Sequence, residues 1–146
     1  MIHKSLNKKY KVFFIDAGEI RFGPIYYKLE LNDAELPNRI FGYDHRFSYD
    51  SKYLALQEWL TTDYQKGPIT RVLLIDLPGE KFSEFEKVAK GWVKPIEIND
   101  KEVVFEKTFF SMGAEKKGTY EVSMDSINNW QPLPFSIPPL IGKEED

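Results

Sequence analysis

His45 and its neighbours are the residues whose types and spacing could support hydrolytic chemistry. Asp44 and Asp50 lie near His45 in the sequence, and a carboxylate can orient an imidazole that acts as a general base. Ser48 or Ser51 would then supply the nucleophilic hydroxyl. No GxSxG motif surrounds either serine, so a surface or turn histidine is the simpler interpretation. We assign no catalytic residue and keep, as one alternative, a hydrolytic or small-molecule-binding domain whose cavity involves His45.

Motifs for metals and cofactors are absent from the sequence. There is no cysteine, which excludes disulfides, thiolate zinc sites and a cysteine nucleophile. The two histidines, His3 and His45, are too few for a histidine-rich metal site, and neither GxGxxG nor HExxH occurs. We therefore expect no metal and no cofactor.

The charge balance and the short apolar runs exclude several classes of partner. The net charge is −3 and the pI about 5.5, whereas a protein that binds nucleic acid by neutralising phosphates needs a basic face. The first apolar run, residues 12–15, is far shorter than a secretory signal or a membrane span requires. We expect a cytoplasmic protein that binds neither nucleic acid nor membranes.

Aromatic and acidic side chains crowd residues 43–64 and are the positive signal for binding. On alternating strands several of them must face outward, where aromatic side chains anchor protein partners and carboxylates attract basic ones. The other interpretation is that most of these aromatic residues belong to the core. The candidate binding residues are Tyr43, Asp44, Tyr49, Asp50, Tyr53, Trp59, Asp63 and Tyr64.

The elements that must position these residues are mostly β-strands. Residues 25–31, IYYKLEL, alternate as in a half-buried strand, and residues 71–77, RVLLIDL, form an apolar run typical of a central strand. Turns are predicted at residues 99–100 and again at residues 116–118. We predict a mainly β (α+β) fold, either a curled antiparallel meander sheet or a small sandwich.

One short helix is predicted at about residues 83–90. Apolar residues recur at helical spacing from Phe82 to Val88, and Ser83 with Glu86 fits a capping box. We expect this helix to pack against the sheet.

Residues 47–60, FSYDSKYLALQEWL, predict a hairpin with Asp50 and Ser51 at its turn, because both side chains can bond their own backbone. Leu54 and Leu56 would then face the core. The alternative is an amphipathic helix through LALQEWL, whose residues have good helix propensity.

Residues 47–82 resemble a single blade hairpin of the β-propeller family, in which FSPDGKYLAL is followed by a strand that ends in Asp. The likeness departs at Tyr49 and Ser51, where the blade pattern has Pro and Gly. A propeller needs at least about four blades of about 40 residues each, so the resemblance implies only the local hairpin.

Residues 131–146 form a proline-rich tail. Four prolines fall between residues 131 and 140, so the tail should be extended rather than helical or in a central strand. Because apolar side chains are unfavourable in water, we expect the tail to pack on the domain or to dock on a partner. We predict a single globular β-rich domain at residues 1–130, followed by this tail.

The leading functional hypothesis is a non-enzymatic protein-binding domain. The chain is short, acidic and free of cysteine and catalytic motifs, and in this general character it resembles immunity proteins of bacterial toxin and immunity pairs. The resemblance implies a protein partner, such as a basic toxin domain, that is neutralised at an acidic and aromatic surface. A further alternative is a structural or oligomer-forming domain whose tail exchanges onto a neighbour.

Overall fold

The structure, a computed structural model, describes residues 1–20 and 23–140. Thirteen strands lie in this part of the chain and form two antiparallel sheets. The strands are β1 (Ile2–Lys4), β2 (Lys11–Glu19), β3 (Ile25–Leu31), β4 (Ala34–Glu35), β5 (Ile40–Phe47), β6 (Tyr53–Trp59), β7 (Ile69–Asp76), β8 (Lys81–Glu84), β9 (Val88–Ala89), β10 (Gly91–Ile98), β11 (Glu102–Ser111), β12 (Ala114–Ser123) and β13 (Gln131–Pro132). The larger sheet has the order β1-β2-β3-β5-β6-β7-β8-β13, with β4 beside β3 and β9 beside β7, and the second sheet has the order β10-β11-β12. The predicted mainly β fold is confirmed.

β6 and β7 are central strands of the larger sheet, and both of their faces are covered. Leu56 and Leu73 belong to the core on one face, whereas Ala55 and Leu74 belong to the core on the other, and all four are buried. The predicted central strand and the predicted hairpin of residues 47–60 are both confirmed. The alternative helix through the second half of that hairpin is wrong.

The turn between β5 and β6 lies at Asp50 and Ser51 as predicted, but the side chains that bond its backbone are those of Asp50 and Ser48, not Ser51. Asp50 Oδ1 accepts hydrogen bonds from Ser48 Oγ at 2.6 Å and from the Lys52 amide at 3.0 Å. The bond from Ser48 holds the pKa of Asp50 below its ordinary value. Ser51 has a φ of 63°, a left-handed conformation that glycine adopts more easily. The Ser51 hydroxyl offsets this strain by accepting a hydrogen bond from the Asn7 amide at 3.0 Å.

The predicted helix at residues 83–90 is wrong, because this segment forms β8 and β9. Phe82 pairs with Ile75 of β7 and lies in the core on one face of the larger sheet. Phe85 and Val88 belong to the core on the opposite face. The apolar spacing therefore comes from residues on two faces of a sheet, and pairing with β7 overrides local helix propensity.

Helical geometry in the described residues is confined to two 3-10 turns, Tyr64–Lys66 and Met124–Ser126. No helix among these residues is long and apolar enough to cross a membrane.

Residues 131–138, which we call the strap, lie against the larger sheet. The strap begins with β13, which pairs with β8, and its Leu133 is buried in the core. The Leu133 amide donates to the Glu80 backbone oxygen at 2.9 Å, and Asn32 Nδ2 donates to the Pro138 backbone oxygen at 2.8 Å. Residues 141–146 of the predicted tail lie outside the described residues.

The second sheet packs on the other face of the larger sheet through β10, which crosses β5, β6 and β7. Leu74 and Phe105 meet in the core between the sheets. Thr70 Oγ1 donates to the Gly91 backbone oxygen at 2.8 Å and accepts from the Val93 amide at 3.2 Å. Because a second layer covers this face, the larger sheet need not close around its own apolar residues. Neither sheet is curled, so the predicted curl is wrong.

The turn predicted at residues 116–118 is also wrong, because β12 continues through these positions. The chain turns instead at Met112 and Gly113, whose φ values of 53° and 75° fit a tight two-residue hairpin. The hairpin predicted around residues 99–100 is confirmed, with Ile98 paired to Val103.

Candidate functional site

An irregularity in β5 sets the position of Tyr43 and Asp44. Between the pairs that Phe41 and His45 make with β6, three residues of β5 stand opposite Gln57 alone. Extra residues of this kind bend a strand and redirect its side chains. Tyr43 consequently remains 39% exposed in the interior of a strand.

Gln57 is the buried polar group that joins this irregular segment to the second sheet. Its Nε2 donates to the Val93 backbone oxygen at 2.7 Å and, at 3.4 Å, to Asp44 Oδ2. Its Oε1 accepts from Trp59 Nε1 at 2.8 Å. A Cβ atom at Gly42 would lie 1.6 Å from Gln57 Oε1, so this close approach requires glycine. One amide thus holds both Asp44 and Trp59 in place.

Tyr43, Asp44 and Trp59 meet in an open cavity of about 640 Å³, which we call the aromatic groove. Two carboxylates and four large aromatic rings line it, from Glu19, Tyr27, Tyr43, Asp44, Trp59 and Trp92. The ring centroids of Trp59 and Trp92 are 5.2 Å apart, and those of Tyr27 and Tyr43 are 6.0 Å apart. Aromatic faces beside carboxylates suit an apolar or cationic side chain.

Tyr43 is fixed in place although it is partly exposed. Its hydroxyl forms a hydrogen bond with His3 Nε2. Its ring lies 5.1 Å from that of Phe14 and 5.5 Å from that of His45, measured between centroids. The aromatic groove therefore presents this ring in one orientation.

His45 supports the backbone of Tyr43. His45 Nδ1 donates to the Tyr43 backbone oxygen at 2.7 Å. Burial lowers the pKa of His45 below its ordinary value and nearby His3 adds to the lowering, although the Tyr43 oxygen opposes it. Ser48 Oγ is used within the β5–β6 turn, and Ser51 Oγ accepts a hydrogen bond from the Asn7 amide. No described contact joins either hydroxyl to the imidazole.

The remaining predicted binding residues lie away from the aromatic groove. Tyr49 is 88% exposed at the tip of the β5–β6 hairpin, beside Asp50. Tyr53 begins β6 and Trp59 ends it, and at ~3.3 Å per residue the two are roughly 20 Å apart.

Asp63 is exposed beyond β6, and its Oδ1 accepts from the Gln65 amide at 3.0 Å. The side chain of Tyr64 lies outside the described part of the chain. The structure thus brings together Tyr43, Asp44 and Trp59 and separates the others from them.

The chain matches no protein-family model, no curated protein and no solved structure. Among residues 1–20 and 23–140, no three His, Asp or Glu side chains are close enough together to hold a metal ion.

A second notable site, which sequence reasoning missed, is a closed set of ion pairs that we call the ion-pair ring. Glu58 accepts from Arg39 at 2.7 Å and from Arg71 at 2.8 Å, and Glu84 accepts from the same two arginines at 2.9 and 2.8 Å. Arg39, Glu58 and Arg71 of the ring line a cavity of about 860 Å³ beside the strap. Because each charge is matched within the ring, its evident role is to hold β6, β7 and β8 together.

Proposed function

We propose that this protein is a non-enzymatic protein-binding domain and that the aromatic groove receives a side chain of its partner. The observation that carries this proposal is the meeting of Tyr43, Asp44 and Trp59 in one groove, with Tyr43 both accessible and held by its neighbours. Rigid aromatic side chains make strong anchors, because little conformational entropy is lost when a partner packs against them.

The chemistry of the groove favours a partner with a basic side chain. An arginine or lysine that enters between the rings can meet the Asp44 and Glu19 carboxylates at the same time. Trp59 is only 4% exposed and offers a partner little accessible surface, so Tyr43 is the main anchor. The net charge of −3 also favours approach of a basic protein.

The specific form of the proposal is an immunity protein that neutralises a basic toxin domain. What supports it is the acidic, aromatic groove together with the absence of a catalytic arrangement around His45 in the described contacts. Such a protein works by covering its partner rather than by chemistry, so it needs a pre-formed surface and no reactive group.

The test uses the purified toxin domain encoded beside the gene, titrated with the full chain and its variants. Tyr43→Ala should weaken binding by about 30-fold, since a central aromatic anchor is worth about 2 kcal/mol. Asp44→Asn should slow association and reduce its dependence on salt, because it removes a charge that attracts the partner.

Tyr49→Ala and Asp50→Asn are the matched controls, because they make the same changes at the hairpin tip outside the aromatic groove. Both should bind as the unmodified protein does. Loss of binding in these controls, with Tyr43→Ala unaffected, would move the interface to the hairpin tip. A protein that binds no such toxin and gives no protection when the toxin is expressed would overturn the immunity function.

A further inference from the structure

β12 forms an open edge of the second sheet. In the described part of the chain it pairs only with β11, and most of its ten residues are exposed. A strand of this length with one unpaired side presents a row of backbone groups that can pair with another strand.

The hairpin turn determines which backbone groups face the open edge. In a two-residue hairpin the closing pair, here Ser111 and Ala114, exchanges two hydrogen bonds, and such pairs then alternate along the strands. Even-numbered residues of β12 therefore bond to β11. The residues whose amide and carbonyl groups point outward at the open edge are the odd-numbered ones, Glu115, Lys117, Thr119, Glu121 and Ser123.

The side chains of these residues make the edge complementary to itself. If a second β12 pairs in antiparallel orientation with a two-fold axis at Thr119, Lys117 of each copy stands opposite Glu121 of the other. An axis at Gly118 would set Glu115 opposite Glu121, and an axis at Tyr120 would set Lys117 opposite Ser123. Opposite charges directly across two strands stabilise pairing and like charges oppose it, so charge favours the Thr119 register among these three. An axis at Lys116 would also pair opposite charges, Glu115 with Lys117, but it would overlap only half of β12.

The isolated chain leaves these charges poorly matched. Glu121 shares a hydrogen bond with Glu102, and this bond, together with the nearby charge of Glu121, raises the pKa of Glu102. Lys117 is 64% exposed and only loosely paired, with its Nζ 3.7 Å from Glu106. A second copy would bring its Lys117 beside the Glu102 and Glu121 carboxylates.

We propose that β12 is the interface of a homodimer, in which two copies pair antiparallel about Thr119 and join their second sheets into one six-stranded sheet. The outward groups of residues 117, 119 and 121 then form about six backbone hydrogen bonds across the interface. This interface is separate from the aromatic groove and does not depend on the proposed function.

The first test is the mass of the full chain in solution, measured by sedimentation equilibrium across a range of protein concentrations. The unmodified protein should have twice its 17.1 kDa chain mass. Lys117→Glu and Glu121→Lys should each weaken self-association by about 10-fold or more, because each change places like charges opposite one another at two symmetric positions.

Mixing the two charge variants provides the decisive control. In a heterodimer of Lys117→Glu with Glu121→Lys, each glutamate at position 117 or 121 faces a lysine, so the mixture should associate more tightly than either variant alone. The double variant should also self-associate as the unmodified protein does. General damage to the fold would not be repaired by mixing.

Thr119→Pro tests the backbone part of the interface. Its amide points outward, so proline removes no hydrogen bond within the chain, but its ring should prevent pairing of a second β12. We expect a folded monomer, with Thr119→Val as the dimeric control. A monomeric unmodified protein at every concentration would overturn the proposal, as would a dimer whose dissociation constant is unchanged by the Lys117 and Glu121 variants.

Discussion

Replacing Glu58 by Gln should destabilise the protein more than replacing Glu84 by Gln, because Glu58 is the more buried carboxylate of the ion-pair ring. Glu58 is 3% exposed and accepts hydrogen bonds from Arg39 at 2.7 Å and Arg71 at 2.8 Å. Gln has nearly the same shape, but the two arginines bond different oxygens of Glu58, and Gln has an oxygen at only one of those two positions. Its NH₂ group must then face the N–H groups of the other.

The magnitude follows from these two contacts. Loss of one charge-assisted hydrogen bond costs roughly 2 kcal/mol, and conversion of the other into a bond to a neutral acceptor costs roughly 1 kcal/mol. The two arginines are a fifth exposed and keep Glu84 as a partner, so we discount the larger loss of a fully buried pair. Glu58→Gln should therefore reduce the free energy of unfolding by about 3 kcal/mol.

Glu84→Gln is the matched comparison within the same ring. The Glu84 side chain is 26% exposed, and one of its oxygens accepts both arginine bonds. A glutamine oxygen can replace that atom while its NH₂ group turns to water, so the cost should be about 1 kcal/mol. Urea unfolding at neutral pH measures both variants, and Glu58→Gln should also lower Tm by roughly 6–12 °C. Equal costs, or a larger cost for Glu84→Gln, would refute the view that burial of Glu58 makes this ring important.

Three further predictions concern the β5–β6 turn, His45 and the strap. Ser51→Ala should lower the free energy of unfolding by about 1 kcal/mol through loss of the bond from the Asn7 amide. Ser51→Gly loses the same bond but relieves the positive φ, so it should be nearly neutral. Urea unfolding measures both variants, and equal losses would contradict this account of the turn. Stability should fall as pH drops below the ordinary histidine pKa of about 6.5, because the lowered pKa of His45 lets the unfolded chain bind that proton more readily. In His45→Gln the free energy of unfolding should depend less on pH in that range. An unchanged slope would argue against a role for His45 in the pH dependence. Leu133→Ala should cost about 2–4 kcal/mol in urea unfolding because it opens a cavity beneath the strap, and a cost typical of a surface position would mean that the strap does not complete the core.

Local patterns predict those parts of the fold whose signal is contained in one strand or turn. β7 is recognised because Val72 to Ile75 are apolar on both faces, and the β5–β6 turn because the Asp50 side chain bonds the backbone of its own turn. Residues 83–90 mislead because Phe82 and Phe85 serve different cores, which only the pairing with β7 reveals.

The candidate sites depend even more on pairing between distant strands. Tyr27 and Trp92 join Tyr43 in the aromatic groove only because β3 lies beside β5 and β10 crosses β5. The ion-pair ring does leave a trace in the sequence, since Glu58 continues the two-residue steps of the buried leucines in β6 and Arg71 does so in β7. That trace identifies the ring only when the strand register places Glu58 opposite Arg71.

The strap has a consequence for biosynthesis. Its bonds reach back from Pro138 to Asn32 and from Leu133 to Glu80, so the residues that cover this part of the core leave the ribosome after the strands they cover. Until then the apolar face of the larger sheet around Phe82 is exposed in the nascent chain, a condition that favours aggregation or chaperone binding. Packing of this core can therefore be completed only after the strap has been synthesised.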